Sequence, residues 1–147
     1  MNRPATLVAC SHGTRAPLAS ALVTALVRAA AHHLPSTDMV EMYVDVQQPA
    51  LADFLPRVPG PVVVVPLFLS GGYHVHHDIA EAASGRHDAR VTAPLGPDPL
   101  LTDLQIRRLE QTGLDPSDAV VMAASASSDR SAQRDVHRAA DALGRRL

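Results

Sequence analysis

Between residues 61 and 69 the chain reads PVVVVPLFL, nine positions without a charged side chain. An apolar, β-branched run of this length fits a strand buried on both faces, the condition of a central strand in a parallel sheet covered by helices. It passes straight into SGGYHVHHDI (70–79), where Gly71 and Gly72 precede His74, His76 and His77. A buried strand that opens into a glycine turn crowded with imidazole constrains both the fold and its chemistry.

The rest of the chain alternates in the same manner. TLVAC (6–10) reads as a buried strand, followed by a helix whose apolar stripe carries Leu18, Leu22 and Leu26 with Val23 and Val27, reaching about Leu34. Pro17 suits its first turn. MVEMYVDV (39–46) alternates as a strand, and Pro49 opens a short helix through Leu55. Asp78 is placed to cap a helix over IAEAAS. RVTAPL (90–95) is a fourth strand, 98–112 a helix, AVVMAAS (119–125) a fifth strand and 131–147 a last helix. Alternation of this kind predicts an α/β domain with a parallel sheet flanked by helices on both faces. Ligands are then expected off the carboxyl ends of the strands.

Composition narrows the partners. With 147 residues, one domain is expected. A net charge of -2 without a long basic run argues against a nucleic-acid surface. Aromatic residues at 3% with no Trp argue against base stacking. Cys10 is the single cysteine, so an intrachain disulfide and a Cys-rich zinc site are both excluded. No stretch approaches 18 uncharged apolar residues, and the first 13 residues turn polar too soon for a secretory signal. The expected location is the cytoplasm, with no membrane partner. No phosphate-binding loop or dinucleotide fingerprint is present, so no nucleotide is expected.

Two polar loops, CSHGTR (10–15) and SGGYHVHHD (70–78), each follow a strand and can face one crevice. His12 reads either as a solvated residue of a helix-capping loop or as an imidazole aimed at a ligand. His74 carries the same two readings, and the pair together favours a metal or proton-transfer role. Of the three clustered histidines, His74 reads as the ligand, with His76 and His77 on the rim. Gly71 and Gly72 allow positive φ or close approach of something flat. Arg15 is a carboxylate clamp or a solvated arginine. Asp45 is a crevice carboxylate or a turn-former, and Cys10 belongs to the core.

VACSHGTR after the first strand, VVVVPLFLSGGYHVHHDI at the third and APLGPDPLL after the fourth resemble the class II chelatases. The likeness, over residues 5–112, is to the small sirohydrochlorin cobalto- and ferrochelatases. The resemblance implies a metal-inserting lyase acting without ATP. Its substrates would be sirohydrochlorin, or a related tetrapyrrole, and a divalent cobalt, iron or nickel ion, for cobalamin or siroheme biosynthesis. It implies that His12 and His74 hold the metal and help deprotonate the pyrrole nitrogens, and that Asp45 supplies a carboxylate. Ser11, Gly13, Arg15, Ser70, Gly71, Gly72, Tyr73 and Gln48 would border the macrocycle. Gln48 stands where the family carries a second acid, so Gln48→Glu is expected to raise the rate about tenfold. Residues 113–147 resemble the opening of the second half of two-lobed members, and a single lobe implies a homodimer. The alternative reading is a non-catalytic protein that binds or delivers a metal or tetrapyrrole.

Overall fold

The computed structural model describes residues 4–125 and 127–147. Four parallel strands form its sheet: β1 (Thr6–Ser11), β2 (Met39–Tyr43), β3 (Val62–Pro66) and β4 (Ala89–Val91), in the order β2-β1-β3-β4. The helices are α1 (Pro17–His32), α2 (Leu51–Phe54), α3 (Ala80–Ser84), α4 (Pro99–Gln111) and α5 (Arg130–Gly144). A 3₁₀ turn, Leu55–Arg57, extends α2, and a π-helical turn, His74–Ile79, leads into α3. The expected class, a parallel sheet flanked by helices, is the one found.

The central strands hold the core because both of their faces are covered. Val8, Cys10, Val62 and Val64 meet Leu51 and Leu55 from the α2 segment and Ile79 and Ala83 from the α3 segment. Residues of the opposite parity, Leu7, Ala9 and Val65, face α1 across an apolar groove lined by Leu26, Val27 and Ala30. The chain leaves β1 toward β2 and then crosses back past β1 to β3. That reversal opens a crevice at the carboxyl ends of β1 and β3, where an open α/β sheet binds ligands.

Two expectations are corrected. The leucine stripe of α1 faces outward, with Leu18 74%, Leu22 62% and Leu26 54% exposed. The inward face is set by polar ties: Thr24 Oγ1 donates to Glu41 of β2 (2.9 Å), and Ser20 Oγ accepts from Gln47 (2.9 Å). These bonds leave Leu18 and Leu22 pointing outward, while Val27 is buried against the sheet and Leu26 borders the groove beside it. Glu41 also accepts from the Tyr43 hydroxyl at 2.7 Å, and burial pushes that phenol up to about 12.

The segment 119–125 forms no strand, and Val121 is 88% exposed. A β-branched run becomes a strand only beside a ladder partner, and β4 pairs with β3 alone among the described residues. The final helix does form, capped by Asp129, whose carboxylate accepts from the Ser131 amide at 2.7 Å. Among the described residues no helix is long and apolar enough to cross a membrane.

Candidate active site

Two loops meet at the crevice. The first leaves β1 and is stitched to the loop after β2: Val44 N–H donates to Ser11 O and Asp45 N–H to His12 O, both at 3.0 Å. Gly13 lies under this seam with φ +90°, and a Cβ there would sit 2.2 Å from the Asp45 carbonyl oxygen. Only glycine fits, both for its left-handed backbone and for the space. Above it the chain makes a tight γ-turn, in which Gln47 N–H donates to Asp45 O (2.7 Å) around Val46 at φ +64°. A β-branched residue at positive φ is strained, and such strain gathers at functional sites. Gln47 secures the loop by accepting from Thr14 N–H at 2.7 Å and donating to Ser20.

The second loop continues β3, with Leu67 N–H donating to Cys10 O at 2.7 Å. His74 opens the π-helical turn, a feature frequent at functional sites. The turn brings Asp78 under His74, with the carboxylate 2.6 Å from Nδ1. A carboxylate can only accept, so Nδ1 carries the proton and Nε2 presents its lone pair. In the facing loop His12 Nδ1 lies 3.2 Å from the Gly13 carbonyl oxygen, which likewise leaves Nε2 open.

The imidazoles of His12 and His74 lie edge to face with centroids 4.7 Å apart. Ligand nitrogens sit about 2 Å from a divalent ion, so rings this close are within the span of one shared metal. Among the described residues no group of three or more His, Cys, Asp or Glu side chains is gathered to hold a metal. The pair therefore forms an open, two-imidazole arrangement. Tyr73, 60% exposed, stands edge-on to His74 (6.0 Å) and stacks on His77 (4.5 Å), extending an aromatic rim from the pair.

The other expected residues divide. Asp45 is exposed beside His12, its carboxylate accepting from Val46 N–H at 2.7 Å. Arg15 is exposed on the same loop. Ser11 is buried and its hydroxyl has no partner among the described residues, so it lies beneath the crevice rather than along it. Gly71 and Gly72 take no positive φ, and their close neighbours are His76, Asp135 and Ala132. Ser70 lines a cavity shared with Ala132 and His137 of α5. Gln48 spends its carboxamide oxygen on the Ala50 amide (2.9 Å), a local tie at the start of α2. Burial pushes the Cys10 thiol up to about 12, consistent with a core residue and not a thiolate ligand.

Sequence reasoning missed three contributors. Asp78 is no helix cap; it orients His74, and the i,i+4 spacing within HVHHD was the available signal. Gln47 pins the first loop, and Asp135 of α5 holds the second through the Gly71 amide (2.8 Å). No local pattern announces either contact.

The sequence model of the CbiX family matches residues 6–112, and the chain belongs to that family. Among solved structures it resembles SirB from Bacillus subtilis with Fe3+, at TM-score 0.80 and 24% identity, covering 98% of this chain and 62% of that one. It also resembles the sirohydrochlorin chelatase SirB from Bacillus subtilis subspecies spizizenii in complex with cobalt. That match has TM-score 0.79 and 22% identity, covering 98% and 63%. CbiX, described as the terminal enzyme for siroheme biosynthesis in denitrifying bacteria, matches at TM-score 0.64 and 22% identity, covering 94% and 63%. The chain thus spans a little over three-fifths of each of these structures. No curated protein matches it in sequence.

Proposed function

We propose that this protein inserts a divalent metal, Co²⁺ or Fe²⁺, into sirohydrochlorin or a closely related tetrapyrrole without ATP, as a cytoplasmic step toward cobalamin or siroheme. The observation that carries the proposal is the His12–His74 pair, 4.7 Å apart on separate loops at the mouth of the sheet, in a member of the CbiX family.

The chemistry asks for little more than these parts. The metal is a substrate and must leave with the product, so two neutral imidazoles with other positions open suit it better than a closed four-ligand cage. Two pyrrole N–H protons must go as the metal enters, and the ring nitrogens then hold the metal as a dianion. His12 and His74 are placed to take those protons as general bases, and Asp45 offers a carboxylate at the rim. Asp78 keeps the His74 ring in one orientation with Nε2 forward. The exposed Arg15 is suited to pair with the carboxylates of the macrocycle. Tyr73 offers an aromatic edge to it.

A single sheet supplies one wall of a crevice. The outward ridge of Leu18, Leu22 and Leu26 supports assembly with a second copy, since an apolar face this exposed is a common mark of an interface. Residues 113–147 we read as the beginning of a second-lobe-like unit. Leu22→Glu is expected to leave a monomer, measured by sedimentation against the wild type.

The test of function is turnover. Substoichiometric protein, sirohydrochlorin and Co²⁺ are followed by the optical change on metalation. Many products per chain are expected. One product per chain, or no acceleration over the spontaneous reaction, would establish the non-catalytic binder instead.

A further inference from the structure

Helix α5 lies outside residues 6–112, the part of the chain that the family match covers, yet it reaches the histidine loop. The Asp135 carboxylate accepts from Gly71 N–H at 2.8 Å, across 64 positions of sequence. The Ser131 hydroxyl lies 3.2 Å from the Gly71 carbonyl oxygen and 2.6 Å from Asp129, and its one proton serves one of them at a time. Both polar groups of the Gly71 backbone thus face α5. The next residue packs there too, since a Cβ on Gly72 would sit 3.5 Å from that of Ala132. The Asp135 side chain is 16% exposed, so this charge-assisted bond is largely shielded from water.

From Gly72 the grip passes directly to the histidine turn. Val75 N–H and His76 N–H both donate to Gly72 O at 3.0 Å, which makes that carbonyl the base of the turn carrying His74. His76 closes the other side, with Nε2 3.0 Å from where a Gly71 Cβ would be. His12 is anchored separately, through β2 and the Asp45 loop. The gap between the two imidazoles is therefore fixed by two independent anchorages.

We propose that Asp135, assisted by Ser131, is a positioning residue for His74: α5 sets the seat of the Gly71–Gly72 shelf and through it the spacing of the two imidazoles that share a metal. The inference rests on the metal-insertion reading above. It makes the segment beyond residue 112 part of the site. It also gives Gly71 and Gly72 a role as the helix contact, with no bound macrocycle required to explain them.

The test uses the full chain and Co²⁺ alone, followed by its visible absorption, together with amide exchange at Gly71. Asp135→Ala is expected to weaken Co²⁺ binding about tenfold, within the range for outer-shell partners. It should raise KM for the metal more than it lowers kcat, and it should speed exchange of the Gly71 amide. Asp135→Asn keeps an acceptor oxygen and should restore most of the affinity. Should Asp135→Ala not fold, Ser131→Ala carries the test, with about a threefold loss expected for one neutral hydrogen bond. Wild-type Co²⁺ affinity and Gly71 exchange in Asp135→Ala overturn the inference, as do equal losses in the Ala and Asn variants. The two possible failures are distinct. Co²⁺ binding indifferent to His12→Ala and His74→Ala removes the metal-insertion reading. Binding that needs both histidines but ignores Asp135→Ala removes only the role of α5.

Discussion

At the amino end of the sheet, Arg86 uses every N–H of its guanidinium. It donates to the carbonyls of Leu55 (2.7 Å), Val58 (2.6 Å) and Gly60 (2.5 Å) and pairs with both oxygens of Asp88 at 3.0 Å. At the carboxyl end, His12 and Asp45 are exposed, Val46 is strained at φ +64° and the Ser11 hydroxyl is unpaired among the described residues. One end satisfies its polar groups with the protein itself. The other leaves Nε2 of two imidazoles and a carboxylate turned outward. Self-satisfied and outward-turned polar groups thus lie at opposite ends of the same four strands, and, on the function proposed above, substitutions at each end should separate stability from chemistry.

The largest effect is expected at the amino end. Arg86→Ala strands three carbonyl acceptors and one carboxylate, and hydrogen bonds to a charged donor contribute about 1.5–3 kcal/mol each, so a loss of about 3 kcal/mol is a conservative figure. Urea unfolding should show it as a lower midpoint, while metal insertion per folded molecule stays at the wild-type value. A fall in that specific rate would break the division between the ends.

Asp78→Ala sharpens it from the other side. The His74–Asp78 pair is a little over one-third exposed, so its removal should change stability by less than about 1 kcal/mol. If His74 holds the metal as proposed, activity should fall about 10- to 100-fold, the usual consequence of freeing a ligand histidine from its carboxylate. An unfolding midpoint that falls in step with activity would mean that Asp78 supports the fold and not the ring.

A pH series isolates the amino end again. The side-chain hydrogen bond from Arg86 holds the Asp88 carboxyl below the usual carboxylate range. A depressed folded pKa contributes stability that is complete above the unfolded value, about 3.9, and is lost as pH falls through the folded one. The wild type should therefore lose stability on acidification below about pH 4 more steeply than Arg86→Ala, which lacks the partner. Parallel curves would show that Asp88 contributes nothing.

These contrasts also show what the sequence could convey. The apolar runs at 6–10 and 61–69 mark the central strands because burial on both faces leaves no room for polar residues. The histidines are legible for a related reason, since the loops after those strands have to lie at the crevice. The facing of α1 is not legible. A period of 3.6 reveals a leucine stripe, but the bonds of Ser20 and Thr24 to other segments decide which stripe turns inward. The run at 119–125 has strand composition without a ladder partner, and composition does not report partners. Asp78 was within reach of an i,i+4 argument, whereas the contact of Asp135 with Gly71 spans 64 positions and depends on tertiary docking.

The smallest effect is expected at Gln48. Its oxygen is held by the Ala50 amide, and Gln48→Glu preserves that acceptor on an exposed side chain. The rate should change by no more than about twofold, as for a surface substitution, and not by the tenfold gain that the family pattern implies. A tenfold gain in the initial rate would show that the carboxylate swings into the crevice and works there.

The central claim is that His12 and His74 together carry the metal-insertion chemistry at an end of the sheet that stability does not depend on. The initial rate of Co²⁺ insertion into sirohydrochlorin, measured for wild type, His12→Ala and His74→Ala beside their thermal midpoints, tests it most directly. Each variant should lose at least about 10²-fold in rate, the scale of one lost general base, before any loss of metal binding is counted. Each midpoint should stay within about 2 °C of wild type, as for a partly exposed site in a chain of this size. A wild-type rate in either variant would contradict the claim.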